Sequence, residues 1–314
     1  MIQPEALLQQ YFGHKAFRTG QKQAIDAILS GRDVLAVMPT GAGKSVCYQI
    51  SALLLPGVTI VISPLISLMK DQVEALRQVG IPAAYINSSI SQEEFYHSMQ
   101  MLQQGQCRIL YVAPERLMTE SLLRLAQRVQ ISMIAVDEAH CVSQWGQDFR
   151  QSYLDIPVFM EQLLVRPVCT AFTATATKQV EADIARILKL RDPETIHTGF
   201  DRKNLFFGVR RPNSKMTELF HLLKENDGKS GIVYCSTRKA VEEVCASLCD
   251  AGFDATRYHA GLSDVERAQN QDDFLYDRKP IMVATNAFGM GIDKSNVSFV
   301  IHYNMPMDLE SYYQ

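Results

Sequence analysis

The sequence predicts an α/β protein of two tandem lobes, each a mainly parallel sheet with helices on both faces. Three observations predict it. Short β-branched runs alternate with amphipathic stretches, a polar break interrupts that rhythm near residue 190, and the same rhythm then restarts. In the first half, strands are expected at Asp33–Val37, Val58–Ile62, Ala83–Ile86, Arg108–Val112, Ser132–Val136 and Val168–Phe172. Helical periodicity covers Leu65–Gln78, Gln92–Gln103 and Lys178–Leu188 between them. The stretch Leu190-Arg191-Asp192-Pro193-Glu194 reads as the start of a hinge running to about residue 204, and it divides the chain into domains 1–195 and 196–314. In the second half, strands are expected at Leu205–Val209, Gly231–Cys235, Ala255–Tyr258, Ile281–Ala284 and Val297–His302. Helices Met216–Glu225, Lys239–Asp250 and Asp264–Leu275 intervene. Two such lobes in tandem are expected to leave a cleft between them that takes a ligand.

A chain of 314 residues with 47% hydrophobic and 21% charged residues has the composition of a globular protein. It has no apolar run of the roughly 18 residues a membrane-spanning helix needs. The opening Met1-Ile2-Gln3-Pro4-Glu5 lacks the layout of a signal peptide, so a cytoplasmic location is expected, or a nuclear one in a cell with a nucleus. Seven scattered cysteines suit buried thiols in a reducing compartment. Cys245 and Cys249 stand at helical spacing, but no second Cys/His pair completes a metal site with them. The net charge is −3, and neither half carries a basic excess. Any nucleic-acid contact must therefore come from local clusters rather than from the overall field.

The chemistry is concentrated in a few stretches. Thr40-Gly41-Ala42-Gly43-Lys44-Ser45 follows a strand and opens a helix. Its glycines let backbone N–H groups curl toward phosphate oxygens, with Lys44 reaching the β- and γ-phosphates and the Ser45 hydroxyl ligating Mg²⁺. The general P-loop pattern has a glycine where Met38 stands here, a departure common in helicases of superfamily 2. Asp137-Glu138-Ala139-His140 follows the apolar run Ile131–Val136. There Asp137 suits the Mg²⁺ shell and Glu138 suits the general base that deprotonates the attacking water. In Phe17-Arg18-Thr19-Gly20-Gln21, Gln21 can pair with adenine and Arg18 can stack on it, although the stretch alone reads better as the start of a surface helix.

These stretches occur in the order and spacing of the RecQ helicases. So do Ser63-Pro64-Leu65-Ile66-Ser67-Leu68-Met69-Lys70-Asp71-Gln72, Ala113-Pro114-Glu115-Arg116-Leu117, Thr173-Ala174-Thr175 and Val283–Asp293, and the chain resembles that family over nearly its whole length. The most discriminating stretch is Cys141-Val142-Ser143-Gln144-Trp145-Gly146-Gln147-Asp148-Phe149-Arg150. It is similar to the family's aromatic-rich loop, which senses single-stranded DNA. Trp145 and Phe149 offer stacking faces, and Arg150 a phosphate or cation–π partner.

The resemblance implies two RecA-like lobes that use ATP and Mg²⁺. It places His14 beside Arg18 and Gln21 at the adenine, and Thr173 and Thr175 where hydrolysis is coupled to lobe movement. It also places Asp293 near the ribose or the Mg²⁺ shell. In the second lobe it implies DNA contacts from Ser236 and Arg238, at a helix start, and from His259 in Tyr258-His259-Ala260-Gly261-Leu262. The implied function is an ATP-dependent 3′→5′ DNA helicase motor in repair and recombination. It would act as a monomer on single-stranded and partially duplex DNA, with no membrane contact. In RecQ proteins an arginine-finger segment, then zinc-binding and winged-helix regions, follow the position of Ser311-Tyr312-Tyr313-Gln314. On that ground a second expectation is a nucleotide-gated DNA-binding fragment with little turnover. An RNA helicase of the DEAD-box type is disfavoured by His140 and the aromatic-rich loop, and a small-molecule P-loop kinase by the second lobe.

Overall fold

The computed structural model describes residues 3–64, 66–88, 90–146, 148–199, 204–286, 288, 294–306 and 312. The chain divides into two compact units, Met1–Asp201 and Arg202–Gln314. Each contains one sheet, and every strand pairing is parallel. These are two parallel α/β lobes, as the alternating pattern predicts, and of the RecA-like kind that the family resemblance implies.

The first unit opens with α1 (Pro4–Phe12) and α2 (Gln21–Leu29). It then alternates β1 (Val34–Val37), α3 (Lys44–Leu54), β2 (Val58–Ile62), α4 (Ile66–Gln78), β3 (Ala83–Ile86), α5 (Gln92–Gln103) and β4 (Ile109–Val112). It closes with α6 (Glu120–Ala126), β5 (Ile131–Val136), α7 (Asp155–Glu161), β6 (Val168–Thr173), α8 (Lys178–Ile187) and β7 (Glu194–His197). The strand order is β3-β4-β2-β5-β6-β1-β7. The strands read as almost continuous apolar runs because helices cover both faces. Leu35, Ile60, Ile62, Ile134 and Val136 pack into one core, while Val34, Ala36, Val61, Met133 and Ala135 pack into the other. Each fully buried aliphatic side chain contributes about 1.5–3 kcal/mol.

This order determines where the chemistry sits. β6 lies between β5 and β1, so the loop after β6 is flanked by the loops after β5 and β1 at the C-terminal edge of the sheet. Thr173–Thr175 therefore stands between Asp137–His140 and the glycine-rich loop, at the edge where parallel α/β sheets bind ligands.

The second unit contains α9 (Lys215–Glu225), β8 (Ser230–Tyr234), α10 (Arg238–Asp250), β9 (Ala255–Tyr258), α11 (Asp264–Leu275), β10 (Ile281–Ala284) and β11 (Val297–His302), with strand order β11-β8-β10-β9. Leu219, Val233, Val241, Leu248 and Val283 fill one side of the sheet. Phe274, Met282 and Phe288 fill the other.

Two sequence expectations differ from the structure. Leu205–Val209 forms no strand. It joins neither sheet among the described residues, and Phe206 stands 95% exposed, so its apolar, β-favouring composition has no ladder to join. The expected domain boundary at 195/196 cuts through β7, whose residues Val34↔Glu194 to Val37↔His197 pair with β1 of the first unit. Among the described residues no helix is long and apolar enough to cross a membrane. Six of the cysteines are buried and Cys249 is exposed.

Candidate nucleotide and nucleic-acid sites

The loop between β1 and α3 bends through two left-handed glycines, Gly41 at φ +80° and Gly43 at φ +78°, a conformation that a side chain would strain. Gly43 caps α3, so Lys44 and Ser45 form its first turn. The loop is braced from outside by the Phe17–Gln21 stretch. Gln21 is buried, and its Nε2 donates to the carbonyls of Ala42 (3.1 Å) and Gly43 (3.0 Å). Its Oε1 accepts from the Arg18 backbone (2.8 Å), and the Arg18 guanidinium donates to the Gly41 carbonyl. Both expected adenine-binding side chains thus hold the P-loop backbone, while His14 lies exposed at the end of α1. Lys44 Nζ donates to the carbonyl of Met38 (3.2 Å), the residue at the departed glycine position.

Asp137 and Glu138 leave the end of β5. The Asp137 backbone N–H donates to Ile62 (2.8 Å), and its carbonyl accepts from the buried Tyr153 hydroxyl (2.9 Å). Glu138 adopts a left-handed backbone at φ +46°, a conformation that costs a non-glycine residue roughly 1–3 kcal/mol and clusters at functional sites. Burial, aided by the neighbouring Glu138 charge, pushes the Asp137 carboxyl up to about 7. The Lys44 ammonium opposes the rise. Burial raises Glu138 as well, again against Lys44. The Lys44 ammonium thus acts electrostatically on both carboxyls. Glu138 Oε2 is buried without a hydrogen-bond partner, 3.4 Å from His140 Nδ1.

His140 Nδ1 lies 2.9 Å from Thr173 Oγ1, and Thr173 in turn donates its hydroxyl proton to the Thr175 carbonyl (2.9 Å). With that single proton committed, Thr173 can only accept from the histidine, which assigns the imidazole proton to Nδ1. Burial lowers the His140 pKa, so the ring is neutral and Nε2 carries a bare lone pair, itself buried without a partner.

The loop behind this turn presents Trp145 at 77% exposure, with Phe149 also exposed. Arg150 is held differently from a free phosphate ligand. Its guanidinium pairs with Asp148 (2.7 and 2.9 Å) and donates to the Pro64 carbonyl (2.9 Å), joining the loop to the segment after β2.

In the second unit, Ser236 and Arg238 are exposed at the start of α10, with Thr237 capping the helix through Ala240. The Ser236 N–H donates to Asn304 Oδ1 (3.3 Å). His259 is turned inward, with its Nδ1 accepting from Gly261 N–H (3.1 Å) and its Nε2 meeting Glu242 (2.8 Å). Its ring shapes the loop from beneath, and Ala260 and Gly261 are the exposed residues there. Asp293, Gly289 and Gly291 lie outside the described residues. Phe288, in the same stretch, is buried and its carbonyl accepts from the Tyr234 hydroxyl (2.6 Å). Sequence reasoning missed Tyr153, Glu242 and Asn304. None stands in a recognisable motif, and only Glu242, one turn into the helix begun by Arg238, had a positional cue.

A P-loop opening a helix of a parallel sheet, with the adjacent acids Asp137 and Glu138 at a nearby strand end, defines a nucleotide-using protein. Known families agree. The model of the DEAD/DEAH box helicases matches residues 18–183, just over half of the 314, and that of the helicase conserved C-terminal domain matches 214–314. The chain belongs to the DEAD/DEAH box helicase family. It is 48% identical to the ATP-dependent DNA helicase RecQ of Bacillus subtilis over 99% of its own length and 53% of that protein's. It is 45% identical to the Haemophilus influenzae protein of the same name over 98% and 50%. The ATP-dependent helicase wrn-1 of Caenorhabditis elegans is 41% identical, over 98% of this chain and 30% of that protein. The chain thus spans about half the length of its bacterial relatives. In fold it is similar to Saccharomyces cerevisiae Dbp5 bound to RNA and ADP BeF3, with TM-score 0.78, 19% identity and coverage of 100% of this chain and 83% of that one. The DEAD-box helicase Mss116 bound to ssRNA and UDP-BeF gives 0.76 and 18%, with coverage of 100% and 72%.

Proposed function

We propose that the chain is the ATP-driven motor of a DNA helicase, hydrolysing ATP to translocate 3′→5′ along one strand and part a duplex in repair and recombination. The observation that carries this reading is the pair of buried Asp137 and partly buried Glu138, under the charge of Lys44 and joined through His140 to Thr173 and Thr175. Thr40–Ser45 cradles the phosphates, with Lys44 on the β- and γ-groups. Arg18, Gln21 and His14 meet the adenine. Gln21 does so by releasing the carbonyls of Ala42 and Gly43. Glu138 takes the proton of the attacking water as that oxygen bonds to the γ-phosphorus. The bond to the β–γ bridging oxygen breaks, leaving ADP and phosphate. Its unpartnered Oε2 and raised proton affinity suit a base held in a dry site.

The buried carboxylate of Asp137 and the Ser45 hydroxyl, both oxygen donors, fit a Mg²⁺ ion. When bound, that ion neutralises phosphate charge. Asp293 belongs to the same nucleotide site in this reading.

Trp145 and Phe149 stack on unpaired bases, and Arg150 positions their loop from Asp148 and Pro64. Ser236 and Arg238 take a backbone phosphate, with His259 setting the adjoining loop. The partners are single-stranded and partially duplex DNA. The protein works as a monomer in the cytoplasm, or in the nucleus of a cell that has one.

Stimulation of ATP hydrolysis by a single-stranded oligodeoxynucleotide and by an RNA of the same sequence tests the reading. At least tenfold greater stimulation by DNA is expected. Equal or greater stimulation by RNA would overturn it.

A further inference from the structure

α8 begins directly after the Thr173–Thr175 element, and its inward face carries Val180 and Ile184 together with one buried acid, Asp183. Packing alone does not call for an ionised group there, since well-packed apolar residues serve such positions as well or better. Asp183 instead makes two directed bonds. Its Oδ2 accepts from Ser143 Oγ (2.8 Å) and its Oδ1 accepts from Arg186 (2.8 Å). Ser143 is fully buried and in turn accepts from the Trp145 backbone N–H (3.1 Å). A one-way chain of donors therefore runs from Trp145 through Ser143 to Asp183, and bonds in such chains strengthen one another. Ser143 also ends the short 3₁₀ turn Ala139–Val142 that follows Glu138, and α8 packs against that turn. The other end of the loop is tied to Pro64 by Arg150.

Beyond these ties Trp145 and Phe149 stand exposed. A cavity of about 440 Å³ separates Trp145 and Phe149 from Gln179, Arg186 and Ile187 of α8.

We infer that Asp183 is a positioning residue. Through Ser143 it fixes the root of the aromatic loop to α8, the helix that follows Thr173–Thr175, so that DNA on Trp145 and Phe149 and nucleotide beside Glu138 and His140 sense each other. The inference rests on the proposed function, in which the loop binds single-stranded DNA and the P-loop binds ATP. Coupling between the sites then requires the Ser143–Asp183 bond, whereas either ligand alone does not.

Trp145 is the only tryptophan in the chain, so its fluorescence reports the loop without a label. In the ligand-free protein, Asp183→Ala and Ser143→Ala should both lower Trp145 anisotropy. The double variant should fall little further than Ser143→Ala, which already removes the hydroxyl that links Trp145 to Asp183. Asp183→Asn keeps an acceptor for Ser143 and should restore most of the signal. Affinity for an oligo-dT strand is then measured with and without ADP plus beryllium fluoride. The wild-type chain should show coupling in the 5–150-fold range of two-site systems, and Asp183→Ala should bring it within about twofold of unity. Each separate affinity should stay within about threefold.

Unchanged anisotropy in both single variants, or wild-type coupling in a folded Asp183→Ala protein, overturns the inference. Should Asp183→Ala fail to fold, Ser143→Ala reads the same two quantities with one atom removed. A wild-type chain that binds no oligo-dT, or binds it without regard to nucleotide, overturns the functional reading and this inference with it. The ligand-free anisotropy tells the two failures apart.

Discussion

The two units place their functional groups in opposite ways. In the first, the candidate catalytic groups are buried or partly buried, and most are held by neighbouring residues. Asp137 lies under Tyr153, Lys44 holds Met38, Gln21 holds Ala42 and Gly43, and His140 holds Thr173. In the second, the buried groups are braces, such as His259 held by Glu242 and Phe288 held by Tyr234, and the candidate contact groups Ser236 and Arg238 stand in solvent. The contrast follows from the task assigned to each. A base that must take a proton needs a dry, low-dielectric seat, which raises carboxylate pKa values. A surface that must slide along a charged backbone needs accessible donors and has no use for burial.

Substitutions of the braces sharpen this contrast. The largest effect is expected at Asp33, a buried carboxylate that accepts from Arg166 (3.0 and 2.6 Å) and from the backbone N–H groups of Cys169 (2.9 Å) and Arg191 (2.7 Å). It ties β1 to β6 and to the segment before β7. Asp33→Ala strands the Arg166 charge and should cost the first unit about 3–5 kcal/mol. Urea denaturation followed by Trp145 fluorescence, which reports that unit, measures it. A loss below about 1 kcal/mol would mean that the ion pair does not hold the unit together.

Next is Thr173→Val, nearly the same shape without the hydroxyl. His140 Nδ1–H then loses its acceptor, a defect of about 1–3 kcal/mol. The expected result is roughly a tenfold fall in kcat with ATP affinity within about twofold of wild type. An equal fall in affinity would instead place Thr173 in nucleotide binding.

The smallest effect is expected at Asp277 of the second unit, which accepts from Lys294 (2.6 Å), Ser230 (2.7 Å) and Asn296 (3.1 and 3.2 Å). These donors, led by Lys294, lower its pKa to about 2. Its pKa is lower folded than unfolded, so its stabilisation is complete above the unfolded value near 4 and disappears as pH falls toward 2. Asp277→Asn should therefore lower the Tm of the second unit by a few degrees at pH 6, and the gap to wild type should close by about pH 2. A gap independent of pH would show that the carboxylate charge is not what Lys294 and Asn296 require.

Much of this was legible in the sequence, unevenly and for physical reasons. β2, β3, α5 and α11 fall on the residues that periodicity predicts, because buried strands and amphipathic helices carry their period in the side chains. β7 was hidden, since Glu-Thr-Ile-His buries only Ile196 and follows a turn-like stretch. Leu205–Val209 misled in the other direction, because strand-forming composition says nothing about whether a neighbour exists to pair with it. Within the site, Gly41, Gly43, Lys44, Asp137 and Glu138 were readable because phosphate binding and acid–base chemistry demand residue types at fixed local spacing. The His140–Thr173 bond, 33 positions apart, depends on β5 lying beside β6, and the Asp33–Arg166 pair spans 133. Such bonds follow from strand order, which local pattern does not encode. For the same reason the inward turn of His259 and the anchoring of Arg150 by Pro64 became visible only in three dimensions.

The most direct test of the account is steady-state ATP hydrolysis with and without single-stranded DNA, on the wild-type chain and on Glu138→Gln, with Mg-ATP binding measured alongside on both and on Lys44→Ala. The account predicts DNA-stimulated turnover in the wild type. It predicts a fall of roughly 10²–10⁴-fold in Glu138→Gln with ATP still bound, and loss of binding in Lys44→Ala. Turnover that survives Glu138→Gln, or ATP binding indifferent to Lys44→Ala, would contradict it.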